Sequence, residues 1–245
     1  MNASPISGRR LLVAIATSVG LAVAAGSSTA YGLPILAPSW GDTDRLAAVI
    51  VLEVYIAIIV GHLIAFGGLK GFPNELRIVP TSRVELLCAA AVWVGMWTAA
   101  AIVYLGLSQF AWSLSEVRSA LLWIGADGGR LGHAEPLLFV VAGGRAVFVA
   151  PFAEELLFRG SLFGWMRRRW PASATIFVTS ALFALGHPMA VLWPAAFMLG
   201  VGAAWFRERS GSLTPFIVMH AVNNIALTTI SYFATGWDVP NLLAG

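Results

Sequence analysis

Long apolar runs, separated by short polar loops rich in arginine, organise this chain. Seven can be read, at 11–32, 46–66, 84–107, 136–158, 171–187, 189–206 and 213–233, each near the ~17–25 residues that a membrane-crossing helix needs. The fifth and sixth are short and meet at the tight turn Gly186-His187-Pro188. The pattern predicts an all-α fold, a polytopic integral membrane bundle of about seven transmembrane helices. Between Ser108 and Glu135 lies a loop with one amphipathic piece, 112–124, suited to lie along the membrane interface. The expected organisation is 1–130 for about three helices and this loop, 131–235 for about four more helices, and 236–245 for a tail.

Loop charge gives an orientation. With the N-terminus inside, the inner segments hold Arg9, Arg10, Lys70, Arg77, Arg83, Arg167, Arg168, Arg169, Arg207 and Arg209, and the outer ones only Arg45, Arg118 and Arg130. Ten basic residues against three favour N-in and C-out if seven spans is right. The first run has a rival reading as a cleaved signal peptide, since Arg9-Arg10 precede it and Ser28-Thr29-Ala30 resembles a cleavage site. Apolar residues resume directly after that site, which weighs against the rival, and the other spans keep their orientation either way.

Composition agrees with a membrane protein. Of 245 residues 58% are hydrophobic and only 11% charged, with a mean hydropathy of +0.81, whereas soluble domains carry about 25% charged residues. The single cysteine, Cys88, rules out an internal disulfide and any multi-cysteine metal site. The sequence pI near 9.5 comes from basic residues in short loops, a placement that fits membrane topology and not a nucleic-acid surface. Most of the ten tryptophans fall near segment ends and read as interfacial anchors.

Candidate chemistry lies in the apolar runs of the C-terminal half. Ionisable groups at bilayer depth are costly, about 2.5–3.5 kcal/mol each on insertion scales, so they persist where the protein pairs or uses them. Three motifs stand out: Glu154-Glu155-Leu-Leu-Phe-Arg159, Phe183-Ala-Leu-Gly-His187 and His220-Ala-Val-Asn-Asn224. Residues four apart share a helical face, so Glu155 can pair with Arg159 and His220 can point with Asn224. Glu154 is turned about 100° away, with no local partner. Glu154 precedes Trp170 by 16 residues and His187 follows Pro171 by 16. A hairpin turning there would set the two at similar height, about 24 Å from the turn, and needs the fourth helix to continue past Arg159 to Arg167.

A carboxylate in an apolar cavity can act as general base on water, and a neutral imidazole can hold that water. An imidazole and a carboxamide on one face can donate to the oxyanion formed when a peptide carbonyl is attacked. Glu154, His187 and His220 are equally suited to ligate Zn²⁺ with an open water position, so the cofactor is either zinc or none. Each motif also has a structural reading. The glutamates with Arg159, and with Arg145 as a further partner, could form an ion-pair cluster, His187 could end a helix before Pro188, and His220 with Asn224 could join helices by hydrogen bonds. Glu53 and His62, in the second run, are weaker candidates for lining a cavity.

The order Glu-Glu-x-x-x-Arg, Phe-x-x-x-His and His-x-x-x-Asn, each on its own membrane segment, resembles the CPBP (CAAX-processing and bacteriocin-processing) intramembrane protease family, which includes the type II CAAX prenyl endopeptidases. The resemblance covers roughly 136–233 and implies an endopeptidase. It implies that Glu154 activates water, His187 holds that water, His220 and Asn224 stabilise the oxyanion, and Glu155 and Arg159 support them. It does not decide between zinc and metal-free catalysis. The expected partners are a peptide or membrane-protein substrate, prenylated or leader-bearing, and the lipid bilayer, with no nucleic acid. Oligomeric state is open.

Other intramembrane proteases fit less well. The chain has no His-Glu-x-x-His, its aspartates 42, 44, 127 and 238 fall in loops or at the end, and Ser28 is a poor nucleophile candidate at a segment end. Two other classes remain: a proton-coupled transporter using buried Glu and His, and a non-enzymatic immunity or regulatory scaffold. Seven spans without an internal repeat argue against the first, and the intact polar set argues against the second.

Overall fold

The computed structural model describes residues 6–36, 43–122 and 141–236. Among them all regular structure is helical: α1 (Gly8–Leu36), α2 (Thr43–Ala65), α3 (Gly68–Leu76), α4 (Arg83–Leu107), α5 (114–122), α6 (141–166), α7 (Ala172–Leu185), α8 (Trp193–Ser210) and α9 (Thr214–Gly236). Five helical stretches among the described residues are long and apolar enough to cross a membrane: Gly8–Gly32, Leu46–Ala65, Arg83–Leu107, Ala190–Ser210 and Thr214–Ala234. The fifth apolar run yields only the 14-residue α7. The fourth becomes α6, which continues past Arg159 to Met166, and the turn at 167–170 leads into α7 after Pro171, as the hairpin spacing requires. Its first residues, 136–140, lie outside the described ones, as do 123–135 and the tail from 237.

Large apolar side chains stand open along these helices, among them Leu12, Val19 and Val23 on α1 and Val84, Leu87, Val94 and Ile102 on α4. Apolar surface on this scale, spread over several helices, needs lipid around it. The protein is a multi-pass integral membrane protein.

Local chemistry sets the helix ends. Ser82 and Glu85 form a reciprocal capping box at the start of α4, and Ser113 with Glu116 repeats it before α5. The Ser113 hydroxyl and backbone hold the exposed Glu116 carboxyl below its usual range. Of the amphipathic piece expected at 112–124, the part described is α5. Its Val117 packs with Ala100 and Tyr104 of α4 and Ala195 of α8. Gly211 closes α8 in the left-handed conformation, φ +69, a position that favours glycine.

The chain groups into two compact units that interleave along the sequence. The first takes Met1–Ser7, Pro73–Trp123 and Glu155–His220. Here Gly200 of α8 lies so close to α7 that a Cβ would stand 3.1 Å from that of Ser180. Ile6 is buried and packs on Gly164, with its carbonyl accepting from Arg168 Nη1 at 3.0 Å. Arg167 forks onto Glu208 with three contacts of 3.0 Å, and this partner raises its pKa.

The second unit takes Gly8–Phe72, Ile124–Glu154 and Ala221–Gly245. Its α1 and α2 approach where Gly61 faces Ser18 and the Ala14 carbonyl, leaving no room for a Cβ. Small residues let membrane helices come this close and gain packing that apolar burial alone cannot supply in lipid.

Candidate active site

Two interruptions of α6 place its polar residues. Pro151 has no N–H, and its ring crowds the carbonyl four residues back. Upstream of it the helix widens to a π-helix over Arg145–Val149, with Ala150 N–H bonded to Arg145 O, five residues back. A second π stretch, Leu156–Leu162, follows the short α segment Ala150–Glu155. Wide turns of this kind are rare overall but frequent at functional sites.

In the first unit, Glu155 is the centre of a buried cluster. Its Oε1 accepts from Arg159 Nη1 at 3.2 Å and from His220 Nδ1 at 3.1 Å. Glu155 and Arg159 are 2% and 1% exposed, so the expected i,i+4 pair exists and is shielded from water. The Arg159 guanidinium lies 4.2 Å from the ring centre of Phe183, a cation–π contact that helps a desolvated charge. Phe183 also meets His187 and His220 edge-on, with ring centres 5.0 and 6.0 Å away. The first residue of the Phe-x-x-x-His motif thus joins the other two motifs. A carboxylate only accepts, so the ring nitrogen His220 turns to Glu155 carries the proton.

His187 is half-buried just past the end of α7. Its Nδ1 donates to Phe183 O at 3.0 Å, which leaves the lone pair of the neutral ring on Nε2. Trp193 Nε1 donates to the His187 carbonyl at 3.0 Å and fixes the turn from the start of α8.

In the second unit, Glu154 is half-buried and its Oε1 accepts from the Tyr55 hydroxyl at 2.8 Å. Helical spacing offered Glu154 no partner on its own helix, and α2 supplies this one. Motif reading missed Tyr55, although a phenol in the middle of an apolar helix is a signal of its own, since a buried hydroxyl seeks a partner. Asn224 donates through Nδ2 to Ala146 O at 2.7 Å and accepts from Asn223 at 3.0 Å. Glu53 accepts from Thr29 of α1 at 2.5 Å. His62 is fully buried, donating to Ile58 O at 2.7 Å and stacking on Phe66. Both are thus engaged with the α1–α2 packing or their own helix. Arg145 is buried in the first π stretch.

Among the described residues no three His, Cys, Asp or Glu side chains gather in a way that would hold a metal ion.

No curated protein and no solved structure matches the chain. Residues 136–226, just over a third of the chain and the part that holds all three motifs, match the family model described as Type II CAAX prenyl endopeptidase Rce1-like. That match agrees with the resemblance of its motif order to the CPBP-type proteases.

Proposed function

We propose that this protein is an intramembrane endopeptidase that hydrolyses a peptide bond of a membrane-associated substrate with water activated by Glu154. The family is a protease family, and membership of 136–226 supports the peptidase class. The observation that carries the residue roles is the unequal state of the two glutamates. Glu155 is buried and committed to Arg159 and His220, whereas Glu154 is half-buried and accepts from the neutral Tyr55 hydroxyl. A water base needs accessible lone pairs, and a structural ion pair does not.

In this reading Glu154 takes a proton from water as the oxygen attacks the peptide carbonyl. His187 accepts a hydrogen bond from that water at Nε2, the nitrogen its Phe183 contact leaves as acceptor. The oxyanion receives donors from His220 and Asn224. A donor at His220 Nε2 requires the imidazolium, because Nδ1 already donates to Glu155. The proton on Glu154 then passes to the leaving amine. The substrate is a prenylated C-terminal peptide, a leader peptide or a membrane protein. Seven spans with the N-terminus inside and the C-terminus outside complete the proposal, with α6 and α7 as the two spans beyond the five long ones.

The test is hydrolysis of a diverse fluorogenic peptide library by detergent-purified protein, wild type beside Glu154→Ala, with and without a zinc chelator. Cleavage by the wild type that Glu154→Ala abolishes supports the proposal. Full hydrolysis by the variant rejects it. Loss on chelation assigns zinc to the reaction, and persistence assigns a metal-free route.

A further inference from the structure

The turn between α8 and α9 gathers two arginines that peptide hydrolysis does not use. Arg77, just past α3, has φ +64, the left-handed region that a residue with a Cβ seldom enters. It is held there from both ends. Its carbonyl accepts from Leu213 N–H at 3.0 Å, and its Nε donates to Gly211 O at 2.9 Å. Backbone strain of this sort persists only where the surroundings enforce it, and such places are often ligand clamps.

Arg207, in the last turn of α8, points to the same place. The spot where a Cβ on Gly211 would stand is 3.2 Å from Arg77 Nη2 and 4.0 Å from Arg207 Nη1. Glycine keeps that spot open. Arg207 Nε is buried with no hydrogen-bond partner among the described residues. The adjacent carboxylate, Glu208, is already taken by the fork of Arg167. Two guanidiniums thus converge on one small opening beside an unmet buried donor. Like charges held so close repel, and an anion with several oxygens would relieve both and accept from both.

The position favours one source. Arg207 lies near the end of the apolar stretch Ala190–Ser210, and two residues on Arg209 stacks 5.2 Å above the exposed Trp205 ring. A tryptophan with an arginine at the end of a membrane helix marks the headgroup level. Basic pockets between helices at that level suit lipid phosphates. We infer that Arg77 and Arg207 form a binding site for the phosphate of an anionic phospholipid at the α8–α9 turn. This goes beyond the proposed hydrolysis and does not depend on it.

The experiment is thermal unfolding and native mass spectrometry of the full-length protein in detergent. Phosphatidylglycerol is titrated against phosphatidylcholine, with millimolar inorganic phosphate as a separate arm. Phosphatidylglycerol alone should raise the unfolding temperature by several degrees and leave a retained lipid adduct. Both effects should vanish in Arg77→Gln and Arg207→Gln and persist in Arg169→Gln, which alters an arginine stacked on Trp165. If Arg207→Gln does not fold, Arg207→Lys keeps the charge without the fork and should weaken the response. An equal rise with inorganic phosphate would overturn the lipid source in favour of a soluble phosphate. A phosphatidylglycerol effect equal in all variants, or none in the wild type, would overturn the site.

Discussion

The Tyr55 hydroxyl donates to Glu154 Oε1 at 2.8 Å, tying the first carboxylate of the Glu-Glu pair to a helix outside the family-matched segment. One carboxylate oxygen is thereby occupied and the group is held in one rotamer. Tyr55→Phe removes the donor and keeps the ring. A hydrogen bond to a charged group is worth about 1.5–3 kcal/mol, so turnover should fall roughly tenfold or more. If Tyr55 positions the base and does not touch substrate, kcat drops while KM stays. Steady-state kinetics of the folded variant would show the split, and a change confined to KM would contradict the role.

The two glutamates should fail in different ways. Glu154→Gln should lower turnover at least about 10²-fold, the scale of a lost general base, with the unfolding temperature little changed. Glu155→Gln strands the buried Arg159 and should destabilise by about 3–5 kcal/mol. Thermal unfolding beside turnover separates them, and a Glu155→Gln variant as stable as wild type would refute the buried pair's role. His187→Ala should also cost at least about 10²-fold in turnover.

Gly200 carries a packing prediction. A Cβ there would lie 3.1 Å from Ser180 Cβ and 3.3 Å from Arg159 Nη2, while Gly95 on α4 has nothing within 4 Å. Gly200→Ala should destabilise by roughly 1–3 kcal/mol, the cost of overpacking. Gly95→Ala should be neutral or stabilising by up to about 1 kcal/mol, from helix propensity. Equal melting temperatures for the two would show that α7 and α8 are not packed this closely.

Much of this architecture is legible in the sequence because lipid constrains it so strongly. Every backbone group in the bilayer must be satisfied within the protein, so apolar length reports helices. The Glu155–Arg159 pair and the run of α6 to Arg167 follow from helical spacing and turn residues alone. Hydropathy reports composition and not length of helix, which is why the run 171–187 is longer than the 14-residue α7 it folds into. The π stretches were not legible, since they depend on how Pro151 redirects hydrogen bonds around it. Nor was Tyr55, because which helix supplies a partner to Glu154 is a tertiary fact that no local period encodes.

Asn224 has a structural duty beside its proposed catalytic one, and the two can be pulled apart. In an α-helix the Ala146 carbonyl would accept from Ala150 N–H, but that donor is turned to Arg145 O. In a π register it would accept from residue 151, which is proline and has no N–H. The carbonyl is left without a helical donor, and Asn224 Nδ2 supplies one at 2.7 Å. Asn224→Ala should therefore destabilise by about 1–3 kcal/mol for the unmet carbonyl, in addition to lowering turnover if the second amide hydrogen serves the oxyanion. Adding Pro151→Ala returns an N–H five residues from Ala146. The double variant should then recover stability relative to Asn224→Ala while staying slow, since nothing replaces the oxyanion donor. Unfolding temperature and turnover of the two single variants and the double variant decide it. Turnover restored together with stability would reduce Asn224 to a structural residue, and stability that Pro151→Ala does not restore would show that the Ala146 carbonyl is not what Asn224 supports.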